Sequence, residues 1–233
     1  MVNFSESGLY LKHKGEIGFI LGSSPSLHYI DIEKLKYGKT FTCNASIMKH
    51  PNADYYVADD SEVKCWSYWQ YFLADLDITK LLYRHHFKDE ENAILFDHSQ
   101  DRALDFHQDA HKPLVGAFSV VGTALHLAYL MGCDPIVLLG CDCCYKDGKR
   151  YFWQFPGEMK PFTVSGQKVF CNADRGSVDG EPIDHHNETA LQYFTNLSNS
   201  IGDKVEVLNA SDGILKCFKM MSLDEVLEKF GKI

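Results

Sequence analysis

The chain has 233 residues, of which 45% are hydrophobic and 24% charged, with a formal net charge of −9. Those values fit a globular protein that buries a full core in one domain spanning 1–233, or in one domain with a lid. The acidic balance excludes the broad basic face of a nucleic-acid binder, and Lys12-His13-Lys14 is too short to supply one. The opening residues carry no apolar stretch of the secretory kind, so the expectation is a cytoplasmic protein whose eight cysteines stay reduced.

Residues 1–14 read as a short polar arm. Residues 17–21 form a compact apolar run, the first buried strand. Gly22-Ser-Ser-Pro-Ser26 is a turn in which Pro25 suits a first helical position. Residues 40–44 and 54–58 predict two more strands, the second ending in Asp59-Asp60. The aromatic stretch 66–76 predicts a helix, and residues 81–83 and 93–96 predict short strands. The polar residues 97–116, with His98, His107 and His111, read as a loop. Small and apolar residues recur at three- and four-residue spacing over 119–131, which predicts a helix ended by Gly132. Residues 136–139 are the clearest buried strand. The apolar stretch 120–141 is broken by His126, Gly132, Asp134 and Pro135, so it reads as helix, turn and strand, not as a membrane span. Residues 143–184 lack periodicity and read as a lid or binding loop. A helix over 188–198, a strand over 205–208 and a helix over 223–230 capped by Ser222 complete the chain. Strands alternating with helices predict an α/β fold: a three-layer, Rossmann-like, mostly parallel sheet with a lid-like insertion.

In such a sheet, ligands bind beyond the carboxyl ends of the strands. Gly22-Ser-Ser-Pro-Ser26 lies at one such end. Its glycine allows close backbone approach, and its amides and hydroxyls can meet a phosphate at a helix start. The alternative is a capped turn without a ligand. The Gly-Lys-Ser/Thr ending of a Walker loop is missing, and so is the dinucleotide fingerprint. Asp142 follows the clearest strand and is placed to bind a ribose hydroxyl, a metal or an amine, or to cap a loop. Asp59-Asp60 holds the same topological place and can hold magnesium through a phosphate, or cap a turn. Cys141, Cys143 and Cys144 lack zinc-ligand spacing and read as small buried thiols. Asp184-His185-His186-Asn187-Glu188 opens a helix, where a histidine can serve as general base; an exposed surface pair is the plainer reading. Tyr145, Tyr151 and Trp153 are placed to stack on a base or sugar, or to pack the lid.

The run Gly22-Ser-Ser-Pro-Ser-Leu27, then Ile30-Asp31, then Phe41-Thr-Cys-Asn44, resembles the opening of the bacterial sialyltransferases of glycosyltransferase family 42. Residues 121–142 resemble their second half-motif. The same motifs mark the related motility accessory factors and the archaeal 6-hydroxymethylpterin pyrophosphokinases. The run Val207-Leu-Asn-Ala-Ser-Asp-Gly213, with Phe218 and Ser222-Leu-Asp-Glu-Val-Leu227, is similar to that second group. Gly-Ser-Ser-Pro stands where the sialyltransferases carry Gly-Asn-Gly-Pro. The resemblance implies a nucleotide-dependent transferase. In its leading form, Gly22, Ser23, Ser24, Ser26 and Asn44 hold the nucleotide, and Gly122, Thr123 and Asp142 line the facing wall. His186 or His185 deprotonates an acceptor hydroxyl, and Tyr145 or Tyr151 stabilises the leaving phosphate. That form needs no cofactor; its partners are a nucleotide-sugar donor and a glycan or small-molecule acceptor, with no nucleic acid; the resemblance leaves a homo-oligomer open, since that superfamily often assembles. In the alternative form, magnesium held by Asp59 and Asp60 serves pyrophosphoryl transfer from ATP to a pterin-like hydroxymethyl group. A non-catalytic nucleotide-binding module is the third reading.

Overall fold

The computed structural model describes residues 2–99, 105–115, 118–164, 176–178, 181–183 and 185–231. Nine parallel strands form one sheet in the order β1-β6-β5-β4-β3-β2-β7-β10-β11. They are β1 (Val2–Asn3), β2 (Gly18–Leu21), β3 (Lys39–Cys43), β4 (Tyr55–Ala58), β5 (Thr79–Tyr83), β6 (Ala93–Phe96), β7 (Ile136–Leu139), β10 (Val207–Asn209) and β11 (Lys219–Met220). The short strands β8 (Gly176–Val178) and β9 (Glu181–Ile183) pair antiparallel outside it. The helices are α1 (Arg84–Phe87), α2 (Val120–Leu130), α3 (His185–Ile201) and α4 (Leu223–Phe230).

The central strands are buried on both faces, as a parallel sheet requires, and their apolar runs are continuous rather than alternating. Ile20, Phe41 and Val57 face α2 and α3 in one core layer. Phe19, Leu21, Val137 and Leu139 face the other way, onto Leu27, Leu35, Phe152 and Val226. A third cluster under β4 and β5 holds Tyr56, Ala58, Leu82 and Phe87. α2 seats closely on β2: a Cβ at Gly18 would stand 2.9 Å from Cys133 Cβ and 3.6 Å from Ala128 Cβ. α4 begins at Ser222, whose hydroxyl accepts from the Glu225 amide while the Glu225 carboxylate reaches back, a capping box.

One expectation needs correction. The polar arm is built into the fold: β1 pairs with β6, Phe4 and Leu9 are buried, and the Leu11 and His13 amides bond Leu130 and Met131 carbonyls. The helix expected over 66–76 is present in irregular form, a π-helical turn at Tyr68–Phe72 followed by a 3-10 turn at Leu73–Asp75. Tertiary packing decides this segment, with Tyr68 and Leu73 buried and Trp69 against Phe87 at 5.2 Å.

Within the 143–184 segment, residues 165–175, 179, 180 and 184 lie outside the described residues. The part over 143–164 packs on the sheet. Phe152 is 1% exposed, a burial that contributes about 2–3 kcal/mol. Glu158 accepts from Lys49 Nζ at 2.5 Å and meets His28 Nδ1 at 2.7 Å, and the His28 ring stacks on Phe155 at 4.6 Å. No helix among the described residues is long and apolar enough to cross a membrane.

Candidate active site

From β2 the chain moves outward through β3, β4, β5 and β6, and then returns through α2 to β7 on the opposite side of β2. The carboxyl ends of β2 and β7 therefore diverge at a topological switch point, where open α/β sheets bind ligands. Both predicted turns lie here. Their contact is intimate: a Cβ on Gly22 would stand 2.3 Å from the Gly140 carbonyl oxygen. Gly140 itself has φ +64, a left-handed conformation that glycine adopts without cost. The Gly22 amide donates to Leu139 O at 2.8 Å and the Ser24 amide to Gly140 O at 3.0 Å.

Asp142 is fully buried beneath this contact. Its Oδ2 accepts the Ser26 amide at 2.8 Å, and its Oδ1 accepts the Ser26 hydroxyl. Asp142 thus holds the short turn Pro25–Tyr29 through both carboxylate oxygens. Its own backbone is wrapped by the C-terminal loop: Ile214 N donates to Asp142 O at 2.9 Å, and a Cβ on Gly213 would stand 2.3 Å from that oxygen. Burial lifts the Asp142 carboxyl from 3.8 to about 6, against the pull of the Ser26 hydrogen bonds.

Asn44 follows β3, the neighbour of β2. Ser46 ties the two strand ends, its hydroxyl donating to Leu21 O at 2.7 Å and accepting Cys43 N at 2.8 Å. Ser23 lies beside them, with its hydroxyl 3.4 Å from Cys43 O. Asn44 has φ +53, the left-handed region that asparagine tolerates better than most side chains. Its Oδ1 is buried and has no hydrogen-bond partner among the described residues. An unpaired buried acceptor costs about 1–3 kcal/mol unless something fills it.

α2 points its first turn into the same crevice. Its cap residue Ser119 makes no side-chain cap bond, and Cys43 Sγ sits 3.8 Å from Val120 O. Gly122 lies under the ring of Tyr193 from α3, so that a Cβ there would stand 2.6 Å from the phenolic oxygen. Thr123 donates to Asp59 Oδ2 at 3.0 Å. Burial pushes Asp59 from 3.8 up to about 6. His86 Nδ1 meets the Asp59 carbonyl at 2.6 Å, and His98 Nε2 lies 3.7 Å from Oδ2. Burial also holds the His98 ring neutral, down to about 4. Asp60 is exposed and accepts the Glu62 amide at 2.9 Å. Among the described residues, no group of three or more His, Cys, Asp or Glu side chains converges as a metal site.

The 143–164 segment reaches the crevice where Phe152 N donates to Ser23 O at 3.1 Å. On either side of it, the Tyr151 and Trp153 rings stack at 5.0 Å and 12°. Tyr145 is buried. α3 leads into the parallel strand β10, so it runs against the strand direction and its first turn lies at the carboxyl edge. His185 is its first residue. His186 is exposed one residue on, and seven residues before Tyr193, on the same helical face. That spacing sets His186 about 10 Å further out along the axis than Tyr193. The structure therefore places Gly22, Ser23, Ser24, Asn44, Gly122, Thr123 and Asp59 at the carboxyl edge of β2, β3, β4 and β7, with the first turn of α3 at the same edge. Tyr193 and His98 were not legible as site residues in the sequence. Tyr193 and Leu197 share a core-like four-residue spacing, and His98 sits in a loop without a motif.

Strand order and the parallel sheet define the class as Rossmann-like. The same fold occurs in solved glycosyltransferase structures. The MAf glycosyltransferase from Magnetospirillum magneticum AMB-1 superposes with a TM-score of 0.58 at 15% identity, over 92% of this chain. This chain spans only 35% of that protein's length. The sialyltransferase CstII from Campylobacter jejuni, solved with a substrate analogue, CMP-3FNeuAc, superposes with a TM-score of 0.50 at 15% identity, over 89% of this chain and 86% of that one. No protein-family model and no curated protein matches the sequence.

Proposed function

We propose that the chain binds a nucleotide-sugar donor in the crevice between β2, β3 and β7 and transfers the sugar to an acceptor hydroxyl. The observation that carries this reading is Asn44. It stands at a strand end beside the glycine turn, in a left-handed conformation, with a buried amide oxygen that has no hydrogen-bond partner among the described residues. A nucleotide N–H or O–H donating to that oxygen removes its desolvation penalty. The Ser23 and Ser24 hydroxyls and the uncapped first turn of α2 then face the phosphate. The fold shared with two glycosyltransferases supports the reaction class.

In the transfer step, the acceptor oxygen bonds to the anomeric carbon as the bond from that carbon to the phosphate oxygen breaks. The acceptor proton passes to His186 (or His185), and the nucleotide leaves with the electron pair. Tyr151, beside Ser23, donates to the leaving phosphate. Asp142 serves this site by holding the turn rather than by touching the ligand. The reading calls for no metal.

The test is the double replacement of His185 and His186 by alanine. Release of nucleotide from a panel of CMP- and UDP-sugars, with acceptor sugars present, should fall at least a hundredfold, the usual weight of a general base. Nucleotide affinity by calorimetry should stay within about twofold, because neither histidine meets the nucleotide in this scheme. Unchanged turnover refutes the assignment of the base.

A further inference from the structure

Two polar groups, the Tyr193 phenol and the Asp59 carboxylate, meet the first turn of α2. Tyr193 is 5% exposed, and its phenolic oxygen has no hydrogen-bond partner among the described residues. Its ring is fixed by Phe118 at 5.8 Å and Phe194 at 5.3 Å, so the hydroxyl cannot swing out to solvent without repacking α3. Gly122 leaves the room it occupies. The next residue, Thr123, bonds Asp59, so consecutive residues of α2 bring the phenol and the carboxylate into one neighbourhood. Burial, and after it the nearby Asp59 charge, push the Tyr193 phenol up. His98 is 8% exposed, and its Nε2 lies 3.7 Å from Asp59 Oδ2.

A phosphate is disfavoured here by the Asp59 charge. A hydroxyl fits, because it donates to a carboxylate and accepts from a phenol at once. We infer that Asp59 and Tyr193 together hold a sugar hydroxyl of the bound ligand, which donates to Asp59 and accepts from Tyr193. This rests on the nucleotide-sugar reading above and assigns Asp59 to a hydroxyl instead of a magnesium ion. The hydroxyl belongs either to the ribose or to the transferred sugar; the chemistry is the same.

The experiment compares wild type, Tyr193→Phe and Asp59→Asn by calorimetry with CMP, 2′-deoxy-CMP and CMP-3FNeuAc, each with and without magnesium, and by thermal melting without ligand. Each variant should bind the hydroxyl-bearing probe about tenfold more weakly. A loss already seen with CMP, and absent with 2′-deoxy-CMP, assigns the hydroxyl to the ribose; a loss confined to CMP-3FNeuAc assigns it to the sugar. Without ligand, Tyr193→Phe should melt at or above the wild-type temperature, because it removes an unpaired buried hydroxyl. A fall of more than about 2 °C means the folded protein itself uses the hydroxyl, and overturns the inference. Unchanged affinity for every probe overturns it as well, and so does binding that needs magnesium and vanishes in Asp59→Asn. If the wild type binds no probe, the nucleotide-sugar reading falls, and the melting comparison still decides whether the Tyr193 hydroxyl is unused in the free protein.

Discussion

Gly22→Ala is the sharpest perturbation of the switch point. The added Cβ would meet Gly140 O at 2.3 Å, Cys141 Sγ at 3.0 Å and Gly140 C at 3.2 Å, where ordinary contact begins at 3.4 Å. The nearest obstacle is backbone, so no side chain can rotate away. The two turns must part by about 1 Å, an overpacking that costs up to about 3 kcal/mol. Parting also stretches the bonds from Gly22 N to Leu139 O and from Ser24 N to Gly140 O, at 2.8 and 3.0 Å. Each contributes about 1 kcal/mol, so the total loss is about 3–5 kcal/mol. For a chain of this size that lowers the melting temperature by about 10 °C. Gly148→Ala is the control: Gly148 has φ +70 but nothing within 4 Å of the added atom. It should cost only the local strain, about 1–2 kcal/mol. Differential scanning calorimetry of both variants checks the reasoning. A Gly22→Ala melting temperature within about 2 °C of wild type would refute the close packing of the two turns.

Asp142→Asn should change the pH dependence of stability. The folded carboxyl titrates at about 6 and the unfolded one near 3.8, so between these values the folded state binds more protons and stability falls as pH rises. That difference amounts to about 3 kcal/mol. The asparagine variant lacks it, so its stability relative to wild type should improve by about 3 kcal/mol from below pH 4 to above pH 6 in urea titrations; a constant offset across the window contradicts the assignment. Asn44→Ala should weaken nucleotide binding about tenfold in calorimetry, because it removes the unfilled acceptor. Unchanged affinity would remove Asn44 from the site.

The central strands were legible because parallel strands buried on both faces carry unbroken apolar runs, as at Gly18–Leu21 and Ile136–Leu139. The edge strands β1 and β11 were not. Each is two residues long, too short for any period to show, and each exists only by pairing with a neighbour. The Gly22 turn could be found because it directly follows a strand, whereas Asn44, read as the last residue of a strand over 40–44, was picked out only by the family resemblance. Asp142 was found for the same reason as the Gly22 turn, but its bond to Ser26 spans 116 residues and no local pattern reports it. The first turn of α3 was legible through its histidine pair. Tyr193 and His98 entered only when packing brought α3, α2 and the loop after β6 together around Asp59.

Calorimetry with CMP, CDP, UDP, GDP and ATP, each with and without magnesium, tests the central claim most directly. The account predicts that a cytidine or uridine nucleotide binds to the wild-type protein without metal and that the binding weakens in Asn44→Ala. Binding of none, or of ATP only when magnesium is present, would contradict it.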